Sequence, residues 1–152
     1  GAVKTIDGAW IAYPMTQSAN VLVYNFTWAE ELGFAEPPQT SHDLKNLVCA
    51  AADATQKVEE GFEGKGGMVY VANAENWLQW LYAFNGHELN EEGNEYNFHT
   101  QEAIDASMFL LDLMDSGCLY LFDGYPNPLQ AHRSAMISMS STAGIPYYPN
   151  AF

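Results

Sequence analysis

Residues 12–25, AYPMTQSANVLVYN, pass from a strand-like run through a proline and a polar bend into a second strand. Pro14 fixes its own φ and drives Tyr13 into an extended conformation, so the first strand ends on a defined trajectory. The polar residues 16–18 follow in a loop, and in open α/β sheets the loops at strand ends line the ligand crevice. An ordinary hydrophilic connection is the commoner occurrence for such a bend. The stretch therefore predicts that the chain enters an α/β unit here.

The predicted strands alternate with helices along the chain. Residues 21–25 and 68–72 are short apolar runs with β-branched members, which is typical of strands buried on both faces. Two further strands are predicted at residues 9–13 and 135–139. Since alternation of strands and helices is the pattern of α/β proteins, we expect a single three-layer α/β domain over residues 1–152.

Capping residues and glycines mark the predicted helix ends. Side chains that accept a hydrogen bond from a free amide of the first turn favour helix starts, and glycines that can adopt a positive φ favour helix ends. The predicted N-terminal caps are Thr27, Thr40, Asn73 and Thr100. The glycines expected to close helices are Gly33, Gly86 and Gly117.

The helix that follows Thr100 has the clearest amphipathic pattern of the chain. Its core positions are predicted to be Ile104, Met108 and Leu111, completed either by Met114 or by the neighbouring Leu110 and Leu113. Just before this helix, residues 87–98 alternate around the turn sequence NEEG and predict a small surface hairpin.

Charge and composition exclude several classes of function. The 152-residue chain holds 19 Asp and Glu against five Lys and Arg, which gives a net charge of −14. Such a surface repels phosphate backbones and anionic lipid, so binding to nucleic acid or to a membrane surface is not expected. We interpret the acidity as a contribution to solubility rather than as a calcium site, because no Asp-x-Asp-x-Asp-Gly loop gathers oxygen ligands.

The two cysteines do not indicate a metal or redox site. Cys49 and Cys118 lie far apart in the sequence, and neither belongs to a CxxC motif or a Cys/His cluster. We therefore interpret both as free thiols buried as small hydrophobic residues, and we expect no metal and no cofactor. No run of about 18 apolar residues predicts a membrane span, and no Lys/Arg-headed apolar leader opens the chain.

Four segments carry a pattern that is weak in each one alone and specific in their order and spacing. The first runs from DG at residues 7–8 through IAYP to VYN at residues 23–25, and the second is PPQT at 37–40 with the helix that follows it. The third is FNG at 84–86, followed by FHTQEA at 98–103 and the leucines of 110–113. The fourth is SAMISMS at 134–140. Together they resemble extracellular solute-binding proteins that deliver sugars to ABC importers, the family that includes maltose-binding protein.

The resemblance implies two α/β lobes joined by crossing strands, with a sugar held between them. The matched portion begins where that family's chain crosses into the second lobe and ends near the return crossing. The chain is therefore expected to be most of a second lobe, without the first lobe and the C-terminal helices. The expected function is sugar binding through half of a ligand cleft. The full-length protein is expected to be periplasmic or extracellular, and the expected partners of this chain there are the first lobe and an ABC permease.

Candidate binding residues follow from position within this resemblance. Ser18 stands where the maltose binder has a carboxylate that holds sugar hydroxyls, and the start of the helix after residues 68–72 lines the cleft in such proteins. Thr142 takes the place of an aromatic stacking platform, so stacking would have to come from Trp77, Trp80 or Tyr147. The complete set of candidate ligand-binding residues is Ser18, Glu75, Asn76, Trp77, Ser140, Ser141, Thr142 and Tyr147.

This set of side chains suits a sugar chemically. An aromatic ring covers an apolar face of a pyranose, while carboxylates, amides and hydroxyls bind its rim. Trp77 and Trp80 also have the helical spacing of core residues, together with Leu81 and Phe84. A core position is the favoured interpretation for Trp80, and for Trp77 the two interpretations are equally favoured.

Two other classes of function stay open at this level. A glycoside-processing enzyme needs only two carboxylates about 5 to 10 Å apart, but nothing in the sequence marks such a pair, and no Gly-x-Ser-x-Gly, His-Glu-x-x-His or Walker sequence occurs. A half-protein that exposes its cleft surface could instead be a stand-alone interaction domain, forming a homodimer or binding another partner. We predict a binding protein rather than an enzyme.

Overall fold

The computed structural model describes residues 18–55, 67–122 and 136–141, with only the backbone described for the last three. The elements in chain order are β1 (Asn20–Tyr24), α1 (Phe26–Glu31), α2 (Ser41–Thr55), β2 (Met68–Tyr70), α3 (Ala74–Ala83), α4 (Gln101–Asp115), β3 (Leu119–Leu121) and β4 (Ile137–Ser141). Three predicted strands are thus present within two residues of their expected bounds. The predicted strand at residues 9–13 lies outside the described residues, and β3 is a strand that the sequence pattern did not predict.

The described strands form one sheet in the order β1-β4-β2-β3. β2 is parallel to both β3 and β4, whereas β1 is antiparallel to β4. The last residues of β2, β3 and β4 therefore lie at the same edge of the sheet as the first residue of β1. We term this the carboxyl edge, and its strand residues are Asn20, Tyr70, Leu121 and Ser141.

The sheet is buried on both faces at its centre. On one face the main core takes side chains from all four helices, including Trp28, Leu47, Trp80 and Leu113, against Met68 and Ile137 of the sheet. On the opposite face Val69 and Ser138 are 1% and 0% exposed. A strand buried on both faces is the central strand of a layered domain, which confirms the predicted α/β fold class.

The helix starts agree with the sequence in three of four places. Thr40 caps α2 as predicted: its hydroxyl oxygen accepts the Asp43 amide, and its own amide donates to the Asp43 carboxylate. The side chains of Asn73 and Thr100 accept hydrogen bonds in the first turns of α3 and α4. The prediction of Thr27 for α1 was wrong, because the Asn25 side chain accepts the Trp28 amide at 3.1 Å and starts the helix two residues earlier.

Two of the three predicted helix-closing glycines are confirmed, and at the third the left-handed residue lies one position earlier than predicted. Gly33 and Gly117 adopt positive φ values of 94° and 69° directly after α1 and α4, as predicted. After α3 the left-handed position belongs to Asn85 (φ 63°), one residue before the predicted Gly86. Gly86 packs against the helix instead, since a Cβ atom there would lie 2.2 Å from Leu81 Cδ1.

The predicted core face of α4 was wrong in its main part. Ile104, Met108 and Leu111 are 49%, 58% and 46% exposed, and Met114 is exposed as well. The helix buries Ala103, Ala106 and Leu113 instead, so only the alternative that contained Leu110 and Leu113 holds. Apolar residues cover more than half of this helix, and the small alanines allow the closer approach, so packing against α3 and β3 decided which face is buried.

The prediction of free thiols is contradicted. Cys49 and Cys118 form a disulfide across a sequence separation of 69, with their Cα atoms 4.7 Å apart. Cys49 lies on α2, and the Cys118 carbonyl accepts the Met68 amide at 2.8 Å at the start of β2. The two cysteines meet because α2 docks beside β2 and β3, and the spacing of residues in the sequence does not indicate this docking.

The small hairpin predicted at residues 87–98 is confirmed. Leu89 and Tyr96 form an isolated antiparallel bridge, and Gly93 takes a positive φ of 71° in the turn between them. The phenol of Tyr82 on α3 donates a hydrogen bond to the Glu88 carboxylate. This bond raises the pKa of Tyr82 and lowers the pKa of Glu88.

Candidate functional site

The carboxyl edge brings together residues from three distant parts of the sequence. The strand register places Asn20 opposite Ser141 and Val21 opposite Ser140, so both predicted serines lie where β4 meets the start of β1. Exposed Ser18 comes two residues before β1 in the same place. The chain also leaves β2 at this edge and enters α3, whose first turn contains the predicted Glu75 and Asn76.

Glu75 joins the edge through a contact that the sequence did not predict. The Asn20 Nδ2 atom donates a hydrogen bond of 2.7 Å to Glu75 Oε1, and it connects the first residue of β1 to the first turn of α3. Asn20 stands two residues after Ser18, where strand alternation would put both side chains on one side. That alternation was the available signal for including Asn20 among the candidates.

Asn76 stabilises the turn between β2 and α3 at the carboxyl edge. Its backbone amide donates to the Asn73 side chain at 2.8 Å, which caps α3, and its own Nδ2 donates to the Val71 carbonyl at 2.8 Å. Both bonds hold the turn between β2 and α3. Asn76 therefore fixes the position of the helix start from which Glu75 projects.

Trp77 faces away from Glu75. They are two positions apart on α3, which turns their side chains about 200° apart around the helix axis. The Trp77 indole N–H donates to Ser107 Oγ at 3.1 Å, and its ring meets Phe98 edge to face with centroids 5.4 Å apart. The structure therefore places Trp77 on the α4 side of α3 and does not bring it together with Glu75.

A shallow groove of about 520 Å³ lies beside Trp77, between α3 and α4. Its lining residues are Tyr70, Ala72, Asn73, Ala74, Trp77, Ser107, Leu110 and Leu111. Ser107 accepts the indole N–H and donates to the Ala103 carbonyl at 2.8 Å, so both of its hydrogen-bonding directions face the protein. The groove offers mainly apolar surface. Trp80, one turn further, is 6% exposed and belongs to the core, as favoured from the sequence.

Two predicted site residues, Thr142 and Tyr147, lie outside the described residues. A separate cavity of about 430 Å³ lies between residues 34–39 and the start of α2, and it contains none of the predicted site residues. Within residues 18–55, 67–122 and 136–141, no cluster of His, Cys, Asp or Glu could hold a metal ion. Across the same ranges, no helix is long and apolar enough to span a membrane.

Cationic side chains are scarce around the site. Lys45 is the only Lys or Arg among the described residues, and it lies on α2. Its ammonium group contacts Asp112 on α4 at 2.5 Å, which commits this cation to a pair between two helices. The carboxylate of Glu75 therefore shares the carboxyl edge with amides and hydroxyl residues rather than with a described basic residue.

Comparison with known proteins gives likeness in structure rather than in sequence. No family model matches this chain, and no curated protein matches it. Among solved structures, the cyclic α-maltosyl-1,6-maltose binding protein of Arthrobacter globiformis matches 96% of this chain and 37% of its own, at 22% identity and a TM-score of 0.74.

Two further solved structures give the same result. The galacto-N-biose/lacto-N-biose I-binding protein of an ABC transporter from Bifidobacterium longum matches 97% of this chain and 36% of its own, at 20% identity and a TM-score of 0.72. The GacH receptor of Streptomyces glaucescens, solved with acarbose, matches 88% of this chain and 33% of its own, at 20% identity and a TM-score of 0.69. The chain thus spans about a third of the length of these proteins. It has the fold of a partial lobe of maltose-binding-protein-like ABC sugar-binding proteins.

Proposed function

We propose that this chain binds carbohydrate as part of the second lobe of an extracellular solute-binding protein that serves an ABC transporter. The observation that carries the proposal is the meeting of Asn20, Glu75 and the predicted serines at the carboxyl edge. In open α/β sheets this edge is where ligands bind. Carboxylate, amide and hydroxyl groups are also the groups that hold sugar hydroxyls.

The disulfide supports an exported protein. Disulfides persist in oxidising compartments such as the periplasm and the extracellular space, and they are rare in the cytosol. The Cys49–Cys118 bridge links α2 to the start of β3 within the described core. A periplasmic or extracellular location is therefore proposed. A first lobe and an ABC permease are the proposed partners in the full-length protein.

Sugar binding by this chain alone should be weak, because one lobe supplies only part of the contacts. If a two-lobed binder holds its sugar at about 1 μM, or about −8 kcal/mol, half of that free energy leaves about −4 kcal/mol, near millimolar. An open half-site also leaves each hydroxyl contact in competition with water. Weak binding localised to the carboxyl edge is the expected behaviour.

Titration of ¹⁵N-labelled protein with neutral mono- and disaccharides tests this proposal. Amide shifts should change around Ser18, Glu75 and Ser141 with a Kd near millimolar, and Glu75→Ala should abolish the changes. Glu95→Ala, which removes an exposed carboxylate of the hairpin, is the matched control. Absence of localised shifts at tens of millimolar sugar would refute the proposal. A monomer that binds near 1 μM would show instead that the chain carries a complete site.

One observation favours a second candidate function, a stand-alone interaction domain. The exposed apolar face of α4 consists of Ile104, Met108, Leu111 and Met114. Exposed apolar surface of this kind mediates association in many proteins. Light scattering on the unsubstituted chain and on a Met108→Ser, Leu111→Ser variant tests self-association through this face. A dimer that the double substitution dissociates would support this function, and a monomer at about 100 μM would exclude self-association.

A further inference from the structure

We propose that Asn20 positions the Glu75 carboxylate, and that the pair selects neutral sugar diols over anionic sugars. The inference rests on the proposed sugar-binding function and names the class of sugar that the site accepts. Asn20 and Glu75 are 55 positions apart in sequence, yet their side chains meet at 2.7 Å at the carboxyl edge. The contact joins two elements at the place where the proposed ligand binds.

The pair leaves several polar atoms for a ligand. A primary amide has two N–H donors and a carbonyl acceptor, and a carboxylate has two acceptor oxygens. The bond between Asn20 Nδ2 and Glu75 Oε1 uses one donor and part of one oxygen. Glu75 Oε2, Asn20 Oδ1 and the second amide N–H take no part in this bond. Two neighbouring hydroxyls of a pyranose, each a donor and an acceptor, match this arrangement.

Asn20 is a positioning residue in this scheme. Glu75 is an exposed side chain with three rotatable bonds on the first turn of α3, and ordering such a side chain costs conformational entropy. The hydrogen bond from Asn20 restricts the carboxylate before the ligand arrives, so less entropy is lost on binding. Without Asn20, the Glu75 carboxylate is still present but is no longer held at the end of β1.

The charge around the pair determines which sugars are accepted. A hydrogen bond from a sugar hydroxyl to an ionised carboxylate is stronger than a neutral one. A uronate or a sugar phosphate would instead bring a second negative charge toward Glu75. The only described cation, Lys45, is paired with Asp112 elsewhere, and the chain carries a net charge of −14. Like charges at a binding site disfavour the wrong ligand, so anionic sugars should be rejected.

The test compares two probes, methyl glucoside and glucuronate, by NMR titration of the full chain. The unsubstituted protein should bind methyl glucoside at least about tenfold more tightly than glucuronate. Asn20→Ala should weaken methyl glucoside binding about three- to tenfold, and Asn20→Asp should weaken it further by adding a charge. Glu75→Gln should narrow the preference between the two probes to about twofold or less.

Gln101→Ala is the matched control. Gln101 Nε2 donates to Asp105 Oδ1 at 2.7 Å, which makes another exposed amide–carboxylate pair on a helix first turn, away from the carboxyl edge. Its removal should leave both affinities unchanged. Amide spectra of each variant verify folding, and Asn20→Ser replaces Asn20→Ala should the latter unfold.

The outcomes separate this inference from the proposed function. If neither these two probes nor the neutral mono- and disaccharides titrated above bind the unsubstituted protein, the proposed function fails and the selectivity fails with it. If methyl glucoside binds at the carboxyl edge but Asn20 variants keep its affinity, or Glu75→Gln keeps the preference, only the present inference is overturned. A purely structural role for Asn20 would make Asn20→Ala weaken the binding of both probes by the same factor. The proposed positioning role instead makes Asn20→Ala narrow the preference for methyl glucoside over glucuronate, because it is the contact of a sugar hydroxyl with the Glu75 carboxylate that is lost.

Discussion

Gly67 lies where three parts of the chain approach one another closely. A Cβ atom at this position would lie 1.8 Å from the Cys118 carbonyl oxygen and 3.0 Å from the Val48 carbonyl oxygen. The Gly67 carbonyl itself accepts the Met136 amide at 2.9 Å. Only a residue without a side chain fits between α2, the start of β3 and the start of β4.

Gly67→Ala should lower the free energy of unfolding by about 3 kcal/mol, because the new methyl group meets backbone atoms that cannot rotate away. Gly93→Ala is the control, since Gly93 has a positive φ of 71° but a Cβ atom there would have no other atom within 4 Å. That change should cost only about 1 kcal/mol. Urea unfolding of both variants measures the difference, and equal losses would contradict the crowding at Gly67.

Asp43 links pH to the stability of α2. Its carboxylate accepts hydrogen bonds from the Thr40 hydroxyl at 2.7 Å and the Thr40 amide at 3.1 Å, and the hydroxyl bond is the main cause that lowers the pKa of Asp43. A carboxyl group whose folded pKa is depressed stabilises the protein fully above its unfolded pKa. This contribution is lost as the pH falls through the folded pKa.

The stability difference between the unsubstituted chain and Asp43→Asn should therefore be constant near neutral pH and shrink below about pH 4. Urea unfolding at a series of pH values measures it. Glu36→Gln, which removes an exposed carboxylate from the loop before α2, is the control for general charge effects. A difference that grows on acidification would show that the cap does not lower the pKa of Asp43.

At the scale of elements, the disulfide and α4 show what helix patterns leave open. α4 has enough apolar residues for two different faces, and its alanine face is the one that packs. The exposed face of Ile104, Met108, Leu111 and Met114 is consequently a surface feature of this chain. The same docking brings Cys118, which lies between α4 and β3, into contact with Cys49 of α2.

The disulfide should contribute about 4 kcal/mol to stability, since it closes a loop defined by a sequence separation of 69 and restricts the unfolded chain. Cys49→Ala combined with Cys118→Ala should lower the free energy of unfolding by about that amount under non-reducing conditions. Adding a reductant should destabilise the unsubstituted chain and leave the double variant unchanged.

Thiol titration of the unfolded chain provides a direct count. It should find no free thiol without reductant and both thiols after reduction. Two reactive thiols in protein never exposed to reductant would contradict the bridge.

At the scale of the whole molecule, negative charge is in large excess. The net charge is −14, and the one ion pair found among the described residues, Lys45–Asp112, has partly exposed partners and contributes little. Repulsion among the carboxylates opposes the compact state. The sequence alone gives this conclusion, because it depends on counts of residues rather than on their positions.

Raising the ionic strength from about 0.01 M to about 0.15 M should therefore increase the melting temperature, because the Debye length shortens from about 30 Å to about 8 Å and screens the repulsion. Sodium chloride is the appropriate salt, since sulfate would add a separate stabilising effect. A melting temperature that falls over this range would mean that favourable ion pairs outweigh the repulsion.

The sequence by itself determined the fold class, three of the strands and most helix caps. These features depend on local conformation and on the period of apolar residues, which neighbouring residues encode. The tertiary structure alone decided the Cys49–Cys118 bridge, the buried face of α4, the contact between Asn20 and Glu75, and the separation of Glu75 from Trp77. Each of these depends on the direction in which one element docks against another, and that direction is set by packing among residues 30 to 70 positions apart, for which no local pattern exists.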